Sequence, residues 1–223
     1  MTVNGAVAGV GQKVDPDSDS VEIDGIPLPV KPGLVHYLVY KPPGVISSAA
    51  DPQGRPVVTG LVPPEPRVFP VGRLDEGSEG LLIVTNDGEL TNRLTHPRFG
   101  VEKTYKVLVA GLPTAAALRR LTEGVELDDG PARAVRAKVL DRHGDQALVE
   151  VVMGEGRKRE VRRMCAAVGH PVERLVRTAI GPLRDAQLRP GKWRPLAIEE
   201  VRSLYEAAGG IWEDAPPGEE GSP

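Results

Sequence analysis

The sequence predicts strands and helices intermixed along one chain, an order compatible with the α+β fold class. An unbroken apolar run, Leu81–Val84, predicts a strand buried on both faces. Strands at Ala134–Leu140 and Ala147–Met153 flank the turn-forming segment Asp141–Asp145, which predicts an antiparallel hairpin. Apolar residues recur at three- and four-residue spacing within Lys158–Val168, which predicts an amphipathic helix.

The remaining elements follow from turn formers and apolar patterns. Asn4-Gly5 is a hairpin turn signal, and Asn86 followed by Glu89 has the spacing of a capping box. The other predicted elements are, in chain order, a strand at Val21–Ile23, a proline-rich linker at Pro27–Gly33, a strand at Val35–Tyr40, a loop at Asp51–Pro56, helix Glu89–Leu94, strand Tyr105–Val109, helix Thr114–Leu121, strand Glu173–Ile180, helix Ile198–Ala208 and a disordered tail from Gly209.

Composition excludes several classes of protein. A chain of 223 residues is long enough to bury a substantial core. Its one cysteine, Cys165, rules out an intrachain disulfide and a thiolate metal site, and the four histidines lack metal-ligand spacing. No apolar run approaches the length of a membrane span and no signal peptide precedes the fold, so we expect a cytoplasmic protein.

The net charge of −3 argues against a polyanionic partner, but the charges are unevenly distributed. Residues 206–223 carry five acidic residues and no Lys or Arg, so the rest of the chain is net positive. A local basic patch is what an RNA backbone requires. The predicted patch consists of Arg157, Lys158, Arg159, Arg162 and Arg163, with Arg174 and Arg177 beyond it.

Arg73 and Asp75 stand two residues apart in the glycine-rich segment that precedes the buried strand. A loop that enters a buried strand can hold a carboxylate rigidly in a cleft. The alternative is a turn whose aspartate caps its own backbone. The spacing alone does not separate these two interpretations.

Four motifs resemble the pseudouridine synthases of the RsuA/RluB type, in the same order. They are Gly72–Asp75 with Glu79–Leu82 and Thr85–Gly88, then Val101–Tyr105, Gly154–Met164 and Arg177–Leu183. The resemblance covers roughly Tyr37 to Pro195. Ser78 is a departure, because the family more often has threonine there.

The resemblance implies an α+β catalytic domain with two subdomains around a central, mainly antiparallel sheet and an active-site cleft between them. It also implies isomerisation of a specific uridine to pseudouridine in ribosomal RNA, without metal or cofactor, by a monomer. Asp51–Pro56 resembles the RluB-like members, which favours large-subunit (23S) RNA; small-subunit RNA is the alternative target. The partner would be ribosomal RNA or an assembly intermediate, and a non-catalytic assembly factor on the same fold is the competing function.

The same resemblance divides the chain into segments. Residues 1–26 resemble the strand-rich end of an S4 RNA-binding module whose helical half is missing, through either a misassigned start codon or decay. Residues 27–34 form the linker, 35–208 the catalytic domain and 209–223 a disordered acidic tail.

Three residues are expected to carry the chemistry. The resemblance places the catalytic carboxylate at Asp75, its ion-pair partner at Arg162, and a tyrosine that stacks on the base and transfers a proton at Tyr105. An ordinary core aromatic is the alternative for Tyr105. A cation near the carboxylate is needed because burial would otherwise raise its pKa.

The expected substrate contacts surround these three. Arg73 resembles the family residue that ejects the base and fills its place, with a structural salt bridge as the alternative. Leu74 is assigned to substrate binding, and either Leu175 or Ile180 is expected to lie beneath the uracil. The basic residues of the third motif are expected to be either phosphate contacts or solvated surface: Arg157, Lys158 and Arg159.

Overall fold

The computed structural model of the protein describes residues 1–15, 19–23, 26–27 and 33–209. Most of the predicted linker, and the predicted tail beyond Gly209, lie outside these residues. The described helices are α1 (Gly88–Thr95), α2 (Ala115–Glu123), α3 (Glu160–Ala167) and α4 (Ile198–Ala207). None of them is long and apolar enough to cross a membrane.

Fifteen strands are present in the described part of the chain. They are β1 (Thr2–Val3), β2 (Ala6–Val7), β3 (Val21–Ile23), β4 (Ile26–Pro27), β5 (His36–Lys41), β6 (Phe69–Pro70), β7 (Glu79–Thr85), β8 (Lys103–Ala110), β9 (Val125–Leu127), β10 (Gly130–Ala132), β11 (Arg136–His143), β12 (Gln146–Met153), β13 (Val172–Ile180), β14 (Leu183–Arg184) and β15 (Trp193–Pro195).

The central sheet has nine strands in the described residues and is mainly antiparallel, as predicted. Its order is β11-β12-β8-β13-β7-β5-β15, with β14 beside β13 and β6 beside β7. β13 and β7 are the exception, because they pair in parallel over two residue pairs, Val176 with Glu79 and Arg177 with Gly80. With four helices around this sheet, the predicted α+β class is confirmed.

The hydrophobic core consists of three clusters of buried residues in the described structure. One cluster joins β8, β12 and β13 to α2 and α3, and includes Val107, Val149 and Met164. The second lies between β5, β7, α1 and α4, and the third packs around Val39 and Val58. The cleft described below lies where the first two clusters meet.

β7 is buried along all seven residues, as its apolar sequence predicts. Leu81 and Ile83 pack into the cluster beneath α1 and α4, whereas Leu82 and Val84 belong to the cluster around Val39. Burial on both faces makes β7 a rigid support for the loop that precedes it.

α1 begins at Gly88, and its cap differs from the predicted one. Asp87, not Asn86, accepts the hydrogen bond from the Leu90 amide, at 3.0 Å. The Asn86 side chain instead ties the chain at Gly33 and Val35, accepting from the Val35 amide at 2.9 Å and donating to the Gly33 carbonyl at 2.7 Å. The neighbouring aspartate therefore replaces asparagine as the cap.

Asp87 also joins three elements. Its carboxylate lies 3.0 Å from Nε2 of His36 in β5 and accepts a 2.9 Å hydrogen bond from the Tyr205 hydroxyl of α4. Burial favours a higher pKa for Asp87, but the hydrogen bonds from His36, the Leu90 amide and Tyr205 outweigh it and hold the pKa below its usual value.

Two predicted boundaries shift for backbone reasons. α3 begins at Glu160 rather than Lys158, because Arg159 has a φ of +51° and cannot continue a right-handed helix. The first strand of the hairpin runs to His143, through an irregularity in pairing between Val139 and Asp141, so most of the predicted loop is strand.

The first residues form a separate four-stranded antiparallel sheet in the order β2-β1-β3-β4. Asn4 and Gly5 have φ values of +51° and +78°, which confirms the predicted hairpin turn. Its assignment to an S4 module stays a prediction.

Candidate active site

The loop that carries Asp75 is held at both of its sides. Before Asp75, the Leu74 amide donates to Ser47 Oγ at 3.0 Å and the Ser47 hydroxyl donates to the Leu74 carbonyl at 2.9 Å. After it, the Asp75 carbonyl accepts from the Ser78 amide at 2.9 Å, which closes a turn that leads into β7. Asp75 is half-buried, so its carboxylate is positioned by backbone contacts on either side.

Lys41, which is not among the predicted site residues, binds the backbone of the same turn. Its side chain is fully buried at the end of β5 and its ammonium donates to the carbonyls of Pro42, Glu76 and Ser78 at 3.0, 3.2 and 2.8 Å. Burial lowers the pKa of Lys41 to about 8, against the opposing charges of Glu76 and Asp75. A lysine that ends an otherwise apolar strand was the available signal.

A cleft of about 460 Å³ opens beside this turn. It is lined by nine of the ten predicted site residues: Arg73, Leu74, Asp75, Tyr105, Arg157, Lys158, Arg159, Leu175 and Ile180. It is also lined by residues that were not predicted as site residues, including Ser78, Thr95, Lys103, Met153 and Arg177. Segments far apart in sequence therefore meet in one cavity around Asp75.

Tyr105 is the third residue of β8, and pairing on both sides of the strand fixes its position in the cleft. Its backbone partners are Val151 of β12 and Arg177 of β13, and the residue is 8% exposed. Tyr105 therefore belongs both to the core cluster and to the cleft wall, and its role at the base stays a prediction. Leu175 and Ile180 are both buried and both line the cleft.

Arg162 is the predicted site residue that does not line the cleft. Its guanidinium donates to the Gly77 carbonyl and to Ser78 Oγ, both at 3.2 Å, and to the Val172 carbonyl at 3.3 Å. Within the described residues it makes no ion pair with Asp75 shorter than 4.0 Å, so the direct pairing expected from the sequence is absent. The Ser78 hydroxyl accepts one of these bonds, and threonine, the more common residue of the family there, also carries a hydroxyl.

The charges of Arg162 and Asp75 nevertheless act on each other. Burial lowers the pKa of Arg162, the Arg159 charge lowers it further, and the Asp75 charge opposes both. The Nε atom of Arg162 is buried without a hydrogen-bond partner in the described structure.

The basic residues of the third motif fall into two groups. Every nitrogen of the Arg157 guanidinium already meets protein acceptors, among them Glu160, Asp129 and the Pro131 carbonyl, at 2.7–3.1 Å. Arg163 is likewise paired with Asp129 through two bonds of 2.7 and 2.8 Å. These two arginines brace the β9–β10 hairpin against α3.

The second group remains open to a ligand. Lys158 and Arg159 are exposed at the edge of the cleft, and their side chains make no hydrogen bond or ion pair with any described residue. Arg73 is exposed at the cleft as well and makes no ion pair within the described chain, so the alternative of a structural salt bridge is not realised. No group of three or more His, Cys, Asp or Glu side chains in the described ranges could hold a metal ion.

Comparison with known proteins identifies this arrangement. The sequence model of the RNA pseudouridylate synthase family matches residues 35–167, more than half of the chain. The chain belongs to the RNA pseudouridylate synthase family. This confirms the resemblance drawn from the four motifs and the expectation of an isomerase.

Individual relatives agree with the assignment. The synthase is 44% identical over 213 residues to an uncharacterized RNA pseudouridine synthase of Aquifex aeolicus, covering 94% of this chain and 85% of that protein. It is 41% identical over 212 residues to the ribosomal large subunit pseudouridine synthase B of Bacillus subtilis, covering 93% and 86%. These matches confirm the RluB-like branch.

Solved structures support the fold. A crystal structure of a pseudouridylate synthase superposes on the synthase with a TM-score of 0.71 at 28% identity, covering 91% of this chain and 87% of that one. A structure of an H/ACA RNP bound to a substrate RNA, at 19% identity and a TM-score of 0.52, shares the fold alone.

The cleft brings chemically active side chains together. A carboxylate can act as a nucleophile or general base, and nearby cations can stabilise negative charge. The synthase provides Asp75, Tyr105 and several basic residues within one cavity.

Proposed function

We propose that the synthase isomerises a specific uridine of large-subunit ribosomal RNA to pseudouridine, with Asp75 as the catalytic carboxylate. The observation that carries this proposal is the position of Asp75 on a braced turn in the cleft that Tyr105 also lines. The Bacillus subtilis relative named as a large-subunit synthase supports the choice of RNA. Asp51–Pro56, the loop that resembles RluB-like members, points the same way.

Asp75 acts at the ribose, either by attack on C1′ or by removal of the C2′ proton. Tyr105 stacks on the target base and takes part in proton transfer, while Leu175 and Ile180 supply the apolar surface beneath it. Arg162 acts without a direct ion pair: its hydrogen bonds to Gly77 and Ser78 fix the turn that carries Asp75, and its charge and that of Asp75 attract each other.

The RNA enters across the exposed cations. Lys158 and Arg159 contact phosphates, because their charges have no partner in the described part of the chain and lie at the cleft. Arg73 enters the space left by the flipped base, since it stands at the cleft and is unpaired in the described structure. Arg157, whose donors are occupied, supports the cleft wall instead.

The N-terminal sheet adds a second RNA contact if it is the strand-rich part of an S4 module. The protein acts in the cytoplasm as a monomer, on ribosomal RNA or an assembly intermediate. These assignments follow from the resemblance of the sequence and from its composition.

Mapping pseudouridine in ribosomal RNA tests the proposal. RNA from cells that lack the gene should be missing one large-subunit pseudouridine, and expression of the intact protein should restore it. A missing site in small-subunit RNA would overturn the choice of subunit. An unchanged map, with no conversion of ribosomal RNA by the purified protein, would overturn the choice of substrate.

A further inference from the structure

Two cations that line the cleft, the half-buried Lys103 and the buried Arg177, have no acidic partner among the described residues. Lys103, the first residue of β8, lines the cleft, and its side chain makes no hydrogen bond or ion pair with any described residue. Arg177 of β13 lines the same cavity and is 5% exposed. Its Nε donates to the Leu81 carbonyl at 2.7 Å, but its Nη2 atom is buried without a partner.

The charges of these two residues act on each other. Burial lowers the pKa of Lys103 to about 8, and the nearby positive charge of Arg177 adds to the effect. Burying unpaired charges costs free energy unless a ligand supplies the missing partner. Arg157 and Arg163, by contrast, are paired with Asp129, and Lys158 and Arg159 are exposed to solvent.

The two cations lie among the residues expected to contact the base, not among those expected to contact the backbone. Lys103 and Tyr105 are two residues apart on β8, so their side chains leave the same face of the strand. Arg177 lies between Leu175 and Ile180 on β13, and its backbone pairs with Tyr105. A ligand that reaches both cations therefore reaches the level of the uracil.

We propose that Lys103 and Arg177 form a subsite for the carbonyl oxygens of the target uracil and stabilise the uracil anion during isomerisation. This inference rests on the proposed uridine substrate. An RNA phosphate is the other anion that two cations could bind, and the experiment below separates it from the base.

The reaction itself generates the negative charge. When the N1–C1′ bond breaks, its electron pair stays on the uracil, which leaves as an anion shared by N1, O2 and O4. C1′ either forms a bond to the Asp75 carboxylate or becomes part of a C1′=C2′ double bond after Asp75 takes the C2′ proton. C5 then bonds to C1′. In the first route the C1′–O bond to Asp75 breaks and releases the carboxylate, and in the second Asp75 returns the proton to C2′. Finally C5 loses its proton and N1 gains one. Preorganised cations at O2 or O4 favour the first of these steps.

Substitution of Lys103 with methionine tests the subsite on two substrates. Rates are measured in single turnover at saturating RNA, with uridine or 5-fluorouridine at the target position. Fluorine stabilises the uracil anion without help from the protein. Because 5-fluorouridine has no C5 proton to lose, the readout for both RNAs is disappearance of the starting nucleoside. Any RNA that the wild-type protein converts can serve as the substrate. If the proposed substrate is wrong, the wild-type protein itself will fail to convert large-subunit RNA, and this result is distinct from any effect of the Lys103 substitution.

Lys103→Met should react about 100-fold more slowly than the wild type with uridine. With 5-fluorouridine, the ratio of wild-type rate to variant rate should be several-fold smaller. Lys103→Arg, which keeps a cation, should retain most of the rate. The matched control is Lys106→Met, on the same strand but exposed and outside the cleft, which should leave the rate unchanged. Lys103→Gln serves as the neutral variant if methionine impairs folding, which thermal unfolding reveals.

Two results would overturn the proposal. If Lys103→Met lowers the rate by the same factor with both nucleosides, Lys103 does not act on the leaving base. A loss of RNA affinity with the saturated rate unchanged would assign it to a phosphate.

Discussion

Gly80 of β7 lies directly against the backbone of Arg177 in β13. A Cβ built on Gly80 would clash with the Arg177 carbonyl oxygen and would lie 2.6 Å from its amide nitrogen. Gly80 also has a φ of +113°, which only glycine adopts without strain. This contact lies at the parallel pairing that joins the two halves of the sheet, next to both the Asp75 turn and the cleft.

Gly80→Ala should therefore destabilise the protein by at least about 2 kcal/mol, through overpacking and backbone strain. Urea unfolding measures the change. Gly88→Ala is the control, because a Cβ at Gly88 meets nothing within 4 Å and its φ is not positive. If both variants unfold at the same urea concentration, the close pairing at Gly80 is not what holds the halves together.

Lys41→Met should destabilise the fold by about 2 kcal/mol, because it leaves three carbonyls near the catalytic turn without their donor. The rate should fall as well, since that turn positions Asp75. Lys192→Met makes the same change at an exposed lysine and should alter stability by less than about 0.5 kcal/mol. An unfolding free energy equal to that of the control would show that Lys41 is dispensable to the turn.

Arg162→Met should lower the rate at saturating RNA by about 100-fold while RNA affinity changes little. The reason is that Arg162 fixes the turn at Gly77 and Ser78 and acts on the charge of Asp75. Single-turnover kinetics combined with equilibrium binding separates the two quantities. An unchanged rate with weakened binding would make Arg162 a backbone contact.

Lys158→Met should behave in the opposite way, because Lys158 is exposed and unpaired within the described structure. We expect weaker RNA binding, a salt dependence of affinity reduced by about one unit, and a normal rate at saturation. The affinity is measured over a salt series. An unaltered salt dependence would remove Lys158 from the phosphate contacts.

Because of the buried Asp87, the free energy of unfolding should fall at acidic pH. Its pKa is lower in the folded protein than the unfolded value of 3.8, so the charged form contributes stability at neutral pH. That contribution is lost as the pH falls through the folded pKa. Asp87→Asn should cost about 2 kcal/mol at pH 7, where it removes charged hydrogen bonds to His36 and Tyr205.

The difference between wild type and Asp87→Asn should narrow below the unfolded pKa, because protonated Asp87 also lacks the charge. Unfolding free energies measured at intervals from pH 7 to pH 3 test this. A constant difference across that range would mean that the charge of Asp87 does not stabilise the folded state.

Much of the fold could be predicted because its elements have strong local patterns. The apolar run of β7, the hairpin of β11 and β12 and the amphipathic face of α3 all appear where the sequence places them. The boundaries that shifted depend on single backbone conformations, such as the positive φ of Arg159, and on competition between Asn86 and Asp87 for one cap. Residue patterns do not resolve such choices.

The cleft was predicted through motif resemblance. The places of Lys41 and Arg177 beside it were not, because both depend on tertiary contacts. Lys41 binds carbonyls 35 and 37 residues away, and Arg177 reaches the Leu81 carbonyl across 96 residues. Conversely, the donors of Arg157 are taken by residues around Asp129, which no local pattern indicates. The pattern of charge in the sequence therefore locates the basic surface. It does not show which of the basic side chains lack a partner in the described structure.

The central claim is that Asp75 catalyses uridine isomerisation, and Asp75→Asn tests it most directly. Asparagine has the same shape but cannot act as nucleophile or base, and the backbone bonds that hold the turn remain. The measurement is pseudouridine formed in a large-subunit ribosomal RNA fragment by equal amounts of wild-type and variant protein, with RNA affinity recorded in parallel. We predict full binding and no pseudouridine from Asp75→Asn. Turnover by the variant at a rate near that of the wild type would contradict the account.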